Sequence, residues 1–555
     1  RTWRYREVGA VGSVAVAIPT SLIDVNQLLV STDPTFATDV TAVGLATSGD
    51  YFYAVYDFSD GDYFTFADDA PEIWYSYLSG DWNNPSNWTL DGAISAGYVN
   101  PNSKYPTAGD SVVINSGRTI TANIDNIDVN KLEILGTIDL GASTGQNFTY
   151  IEGSGTMKLS GAAGLDNYPS GVDTLFYDNT EGGTVEYYGA GLTFDQIRRY
   201  NNLNLNLDNS TDVATMTGDS IYVFGNFNVN QGFFQVNDNA ATNNLAIDVH
   251  GDLTITGNGG IDVGTANARH ELNLYGDFTN QGDVDFTNRT SQTTGSEATD
   301  GIVDVNFVSP DQDQTVDLQN TTDFYRIEVN KGVDDTYVVE IVADDETYFN
   351  LYGYAAESTN SAQGTTNNNA CGLIYGTLKV GNNVTISPLN AGGNYSVYEG
   401  AQIWVNGGTV EKTTGTAIVP YGKMRVSAGE LNAPINSGIT TRNNGQLTLE
   451  GGTVTINQFR TSINGVSAQG GLVMSGGILN VTGVNTSTNY YVFSLTYEGN
   501  VFNMTGGTIN LSGSSTKGGI YINSSDENIN VTGGTVNLDV TNANDLSVTS
   551  RAPFF

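Results

Sequence analysis

The chain has 555 residues, enough for more than one domain and for a large core. Its 60 acidic residues against 21 basic ones give a formal charge of −39. That balance disfavours nucleic acid, whose phosphates are held by Lys and Arg, and disfavours docking on anionic membranes. Only 15% of residues are charged and 39% are hydrophobic, so the acidity reads as the solvated coat of a folded protein, suited to meeting divalent cations, and not as disorder.

A single cysteine, Cys371, excludes an internal disulfide framework and leaves stability to packing and ladder hydrogen bonds. No apolar run is long enough for a membrane-spanning helix. At the start, Arg1, Arg4 and Arg6 precede an apolar stretch over 10–18 and imitate a secretory signal. Glu7 interrupts it, however, and Val14, Val16 and Ile18 alternate with small residues as a strand does. A chain running from Arg1 to Phe555 is expected to be a segment of something longer.

Residues 1–72 carry short apolar runs at 14–18, 28–30, 51–56 and 63–66, separated by turn signals such as Asp33-Pro34 and Asp60-Gly61. This spacing predicts a small antiparallel β-sandwich. Trp3, Trp74, Trp82 and Trp88 cluster early, with only Trp404 beyond. Core and junction packing is the simpler reading of these rings; a sugar-stacking platform is the alternative.

Residues 73–555 predict a long right-handed parallel β-helix. Gly-Gly or Ala-Gly pairs begin at 407, 428, 451, 476, 506 and 533. Apolar residues stand four and two positions before each pair and three and five after its first member. Leu447, Leu449, Val454 and Ile456 surround Gly451, and Leu472, Met474, Leu479 and Val481 surround Gly476. Across the six repeats one slot fails, at Lys412. Upstream, single glycines at Gly136, Gly225, Gly251 and Gly276 take the same role, again with one failure, at Asn280. Alternation of period two means strands with one buried face, and a glycine between two such pairs marks a tight corner. Recurrence every 21 to 30 residues makes each repeat one coil of a solenoid. Some 18 coils, rising about 4.8 Å each, would form a rod on the order of 85 Å long. A β-propeller competes for this period but needs four strands per blade. Segments near 160–220 and 290–370 break the rhythm as irregular or inserted coils, and 356–370 reads as a polar loop.

Specific motifs accumulate within residues 1–140. Trp3 with Gly9 and Gly12, then Gly61-Asp62-Tyr63-Phe64-Thr65, are followed by Gly80-Asp81-Trp82-Asn83, Asn87-Trp88 and Tyr105-Pro106-Thr107-Ala108-Gly109-Asp110. These lead into Val112-Val113-Ile114 and Gly117-Arg118-Thr119-Ile120-Thr121. This run resembles the entry into the β-helical stalks of large exported cell-surface proteins of Bacteroidota. The resemblance implies a type IX secretion substrate of adhesin type, with a role in attachment or gliding motility, although the family's C-terminal sorting domain is not visible in the chain. It also implies O-glycans at Asp-Ser/Thr-apolar triplets, here Asp110-Ser111-Val112, Asp173-Thr174-Leu175 and Asp219-Ser220-Ile221.

A catalytic constellation is hard to assemble. Glycoside hydrolysis needs two carboxylates at a set separation. The acidic pairs Asp68/Asp69, Asp334/Asp335 and Asp344/Asp345, with Glu346, fall in turns, and Arg326 and Lys331 near Asp334 make one weak cluster. His250 and His270 offer little for a zinc site. The best short candidate for a hard cation is Asp57, Asp60 and Asp62 around Gly61, a calcium reading without EF-hand spacing; Asp311 and Asp313 are weaker. Thr-x-Thr rows at Thr119/Thr121 and Thr453/Thr455 do not extend into a flat ice-binding face. The expected function is therefore a non-enzymatic extracellular stalk or adhesin segment without a cofactor. Its expected partners are surface glycans, other surface or secretion proteins, or further copies of itself. A carbohydrate-active β-helix enzyme and a filament or sheath subunit are the alternatives.

Overall fold

The computed structural model describes the chain apart from residues 24, 68–70, 96–103, 162–167, 178–181, 195–197, 218–219, 237–244, 266, 293–300, 354–369, 388–392, 463–468, 486–490, 542–547 and 551–555. Strand makes up 54% of the chain and helix 2%, so the protein is all-β. Antiparallel pairing is concentrated at the N-terminus. One sheet joins Trp3–Arg4, Tyr63–Ala67, Gln27–Ser31 and Thr41–Gly44; the other joins Val14–Pro19, Tyr51–Tyr56 and Ala46–Ser48. Their inward faces share a small core of Leu28, Val30, Ala54 and Phe58, with Val14, Val16 and Phe64 packed around it.

From Ile73 onward, apart from the antiparallel pair of Trp88–Thr89 with Ile73–Ser76, the strands stack in parallel, coil upon coil. One wall is built from three successive sheets. The first contains Ile73–Ser76, Ser111–Ile114, Asp128–Ile134, Asn147–Glu152 and Ser170–Asp173. The second has seven strands, from Arg198–Tyr200 to Cys371–Val380. The third has seven, from Tyr395–Val397 to Val548–Ser550. One strand per coil gives nineteen coils among the described residues, and at about 4.8 Å per step the stack is about 85 Å long. Parallel neighbours in this register exclude a propeller, whose blades are antiparallel. The irregular segments are modified coils: Thr184–Tyr188 stacks under Asn202–Asn206, and Ile302–Phe307 under Arg326–Asn330, all parallel. The polar loop expected over 356–370 lies almost wholly outside the described residues.

The inward slots form one core that runs from Trp74 to Ile522. Leu447, Leu449, Val454, Ile456, Leu472 and Met474 are wholly buried within it. The two failed slots also point inward. Lys412 is completely buried, and burial pushes its ammonium down to about 8. Asn280 is equally buried but satisfied: its amide donates to Thr321 O at 3.0 Å and Thr322 Oγ1 at 2.8 Å, while its oxygen accepts from Gly282 N. Side-chain periodicity therefore held where residue chemistry did not.

Glycine at the corners is a requirement of coil-on-coil distance. A Cβ on Gly251 would lie 2.6 Å from Gly225 O, and one on Gly276 2.2 Å from Gly251 O. Beside them a polar file closes the corner. The side-chain oxygens of Asn202, Asn226, Asp252 and Asp277 accept from the backbone N–H of Asn226, Asp252, Asp277 and Thr315, each on the next coil. The early tryptophans cap the first coil. Trp74, Trp82 and Trp88 are buried, Trp82 and Trp88 meet edge to face at 5.0 Å, and Trp74 Nε1 donates to Asp110 Oδ2 at 3.1 Å. Asp110 also accepts from the backbone N–H of Glu72 and Thr107, so the motif Tyr105 to Asp110 is a structural clasp. Trp3 differs, stacking on Phe64 at 5.6 Å while 40% exposed.

Candidate functional site

The stack contains a fault. The first sheet of the wall ends at Ser170–Asp173, which pairs with Asn147–Glu152 on one side; among the described residues no strand pairs with its other side. The chain then turns through the short helix Thr174–Tyr177, whose Phe176 is buried against Gly183, and the next sheet of that wall begins at Arg198–Tyr200. Here the coil also gains a third strand: Gly191–Phe194 pairs with Val213–Met216, whereas earlier coils carry two. Beside this change lies a surface cleft of about 390 Å³. Tyr168, Pro169, Ser170, Gly171, Asp173, Tyr177 and Arg199 line it. Tyr168 rests edge-on against buried Tyr200, and Ser170 Oγ donates to Asn147 Oδ1 at 2.9 Å. The Arg199 guanidinium lies 5.9 Å from the centre of the Tyr222 ring.

A second concentration of chemistry lies on the outward face of the stacked strands Asp283–Asp285 and Thr322–Phe324. Asp285 stands directly over Asp323 in register, and Asp323 over Asn350. Asp262 ends the strand beneath Asp283–Asp285. Amides close both ends of the file: Gln235 Nε2 donates to Asp262 Oδ1 and Asn350 Nδ2 to Asp323 Oδ1, each at 2.8 Å. Burial, and then repulsion from Asp283, Asp323 and Asp262, push the Asp285 carboxyl up to about 6. Burial also raises Asp323, opposed by the Asn350 hydrogen bond.

The residues singled out in the sequence are scattered. Asp60 Oδ1 accepts from Glu7 N at 3.0 Å, and Asp62 Oδ2 from Ser59 N at 2.7 Å, so two of the three carboxylates at Asp57, Asp60 and Asp62 brace the turn around Gly61. Among the described residues no group of three or more His, Cys, Asp or Glu is arranged to hold a metal ion. Asp334 and Asp345 sit in exposed turns and are held below the usual carboxylate range, Asp334 chiefly by the Thr336 hydroxyl and Asp345 chiefly by Thr347 N–H. Asp335 binds Lys423 at 2.6 Å. Asp68 and Asp69 lie outside the described residues, as does Asp219 of one glycan triplet. Arg326 and Lys331 do not join Asp334: Arg326 pairs with Glu328 inside the wall, and buried Lys331 donates to Gln314 Oε1 at 2.5 Å. Asp313 Oδ1 caps the N–H of Val338. His250 stacks on Tyr275 at 4.2 Å at an exposed corner, and His270 is buried.

Neither the cleft nor the carboxylate file was found by sequence reading. Asp262, Asp285 and Asp323 each follow an inward slot and so belong to the outward face, but coils of unequal length hide their alignment. No helix among the described residues is long and apolar enough to cross a membrane. In comparisons with known proteins, no family model, no curated protein and no solved structure matches the chain.

Proposed function

We propose that the chain is a non-enzymatic segment of an extracellular stalk or adhesin, exported by type IX secretion and serving attachment or gliding. The observation that carries this reading is the uninterrupted core from Trp74 to Ile522. Every coil is bonded to its neighbours along the axis, so the rod resists bending and holds its loops and its N-terminal sandwich away from whatever anchors it. Outward side chains reinforce the axis. Lys379 and Arg425 sandwich Trp404 at 4.6 and 4.0 Å, and Asn480, Asn510 and Asn537 form an amide ladder with 2.8 Å steps. The acidic coat keeps such a rod soluble and discourages side-to-side association. Antibodies raised against the purified chain should label intact cells of the source bacterium, and deletion of the coding region should reduce attachment or gliding. Signal found only in lysed cells would remove the reading.

A carbohydrate-active enzyme is the second reading, and the Asp285/Asp323 file favours it. Two stacked carboxylates, one of them pushed up to about 6, supply the kind of acid and base pair that glycoside cleavage uses. Incubation with a panel of acidic and neutral polysaccharides, assayed for new reducing ends and unsaturated uronates, separates the two. Turnover abolished by Asp285→Asn would establish the enzyme and exclude the stalk.

A further inference from the structure

We propose that the cleft at the fault in the stack binds a carboxylate-bearing saccharide, with Arg199 holding the carboxylate. This goes beyond the stalk reading and stands without it, since it concerns a site and not the role of the rod. Three observations converge. First, most basic side chains of this wall and its neighbours are committed: Lys158 to Glu186, Arg269 to Asp304, Arg326 to Glu328 and Arg425 to Glu450. Arg199 enters none of the ion pairs among the described residues and is exposed at the cleft. On a chain of charge −39, a planar, permanently charged fork left without a carboxylate is matched to one that arrives from outside.

Second, the cleft pairs that cation with aromatic surface. Tyr168 and Tyr177 line it, and the Tyr222 ring centre lies 5.9 Å from the guanidinium. Tyrosine rings offer apolar faces to the C–H faces of a pyranose. Third, acceptors stand where sugar hydroxyls would meet them. Asp173 lines the same cleft, and the Ser170 hydroxyl, which donates to Asn147, keeps lone pairs for a ligand donor. A volume of about 390 Å³ accommodates one or two sugar rings, not a folded partner. The outer edge of Ser170–Asp173 would alternatively suit an extended peptide, but a peptide strand needs neither the isolated cation nor the facing rings.

Isothermal titration of the whole chain with digalacturonate and with 3′-sialyllactose tests the proposal, with galactobiose and lactose as their uncharged counterparts and an acidic hexapeptide as comparator. The two acidic sugars separate a uronate from a sialate site. One of them should bind, its neutral counterpart at least tenfold more weakly, and Arg199→Gln should weaken the acidic ligand by about tenfold to a hundredfold. Arg118→Gln, in the half-buried turn before Thr119–Thr121, should leave binding unchanged. The proposal is overturned if no acidic sugar binds at millimolar concentration, if Arg199→Gln binds like the wild type while its melting curve is unchanged, or if the hexapeptide binds best.

Discussion

Substituting Gly452 by alanine tests whether corner glycines hold the coils together. Gly452 has φ +64°, and a Cβ there would lie 2.4 Å from Gly429 O on the coil below. The left-handed backbone costs an alanine about 1–2 kcal/mol. Relieving the contact moves the coils apart by about 1 Å, and weakening one or two ladder hydrogen bonds costs about 1 kcal/mol each. The sum is about 2–4 kcal/mol. Because each coil touches only its neighbours, the loss is local, confined to Thr453–Ile456 and the strands it pairs with, Lys423–Ala433 and Ile478–Val481. Hydrogen exchange followed by mass spectrometry should show protection there falling by about 30-fold to nearly 1,000-fold, with the remote coils unchanged. Gly257 provides the contrast. It has no positive φ, and its nearest foreign atom is 3.7 Å from a built Cβ, so Gly257→Ala should change stability by less than about 0.5 kcal/mol. Equal behaviour of the two variants would refute the argument from coil spacing.

Three further outcomes follow from buried polar groups. Asp110→Ala leaves Trp74 Nε1 and the amides of Glu72 and Thr107 without their acceptor and should destabilise the first coil by about 3 kcal/mol or more, read from tryptophan fluorescence in a urea titration. Asp285 keeps a proton in the folded chain between pH 3.8 and about 6 that the unfolded chain releases, so its contribution to stability is present in acid and lost as pH rises through that window. Asp285→Asn should flatten that slope in melting temperatures measured from pH 3.5 to 7. Lys412 has the opposite sign: the folded chain binds fewer protons between about 8 and 10.5, so stability increases with pH there, and Lys412→Met should reduce the increase while Lys331 retains its own share.

The coil is written in the order of residues along the chain. Aliphatic pairs such as Leu472/Met474 and Leu479/Val481, set about Gly476, allow one arrangement that buries every pair, and period two with a fixed corner is a local property legible from one chain. Even the exceptions obeyed it, since Lys412 and Asn280 turn inward with their neighbours' rhythm. What the tertiary structure alone decided is which outward residues meet. Outward positions carry no burial constraint, and coils of differing length shift their alignment, so Asp285 and Asp323, 38 residues apart, become vertical neighbours while Asp334 and Lys331, almost adjacent in sequence, do not pair. The cleft is more remote still from sequence reading. Its lining comes from residues on either side of the break between two sheets, Ser170 and Asp173 on one and Arg199 on the next, a juxtaposition that no single repeat contains.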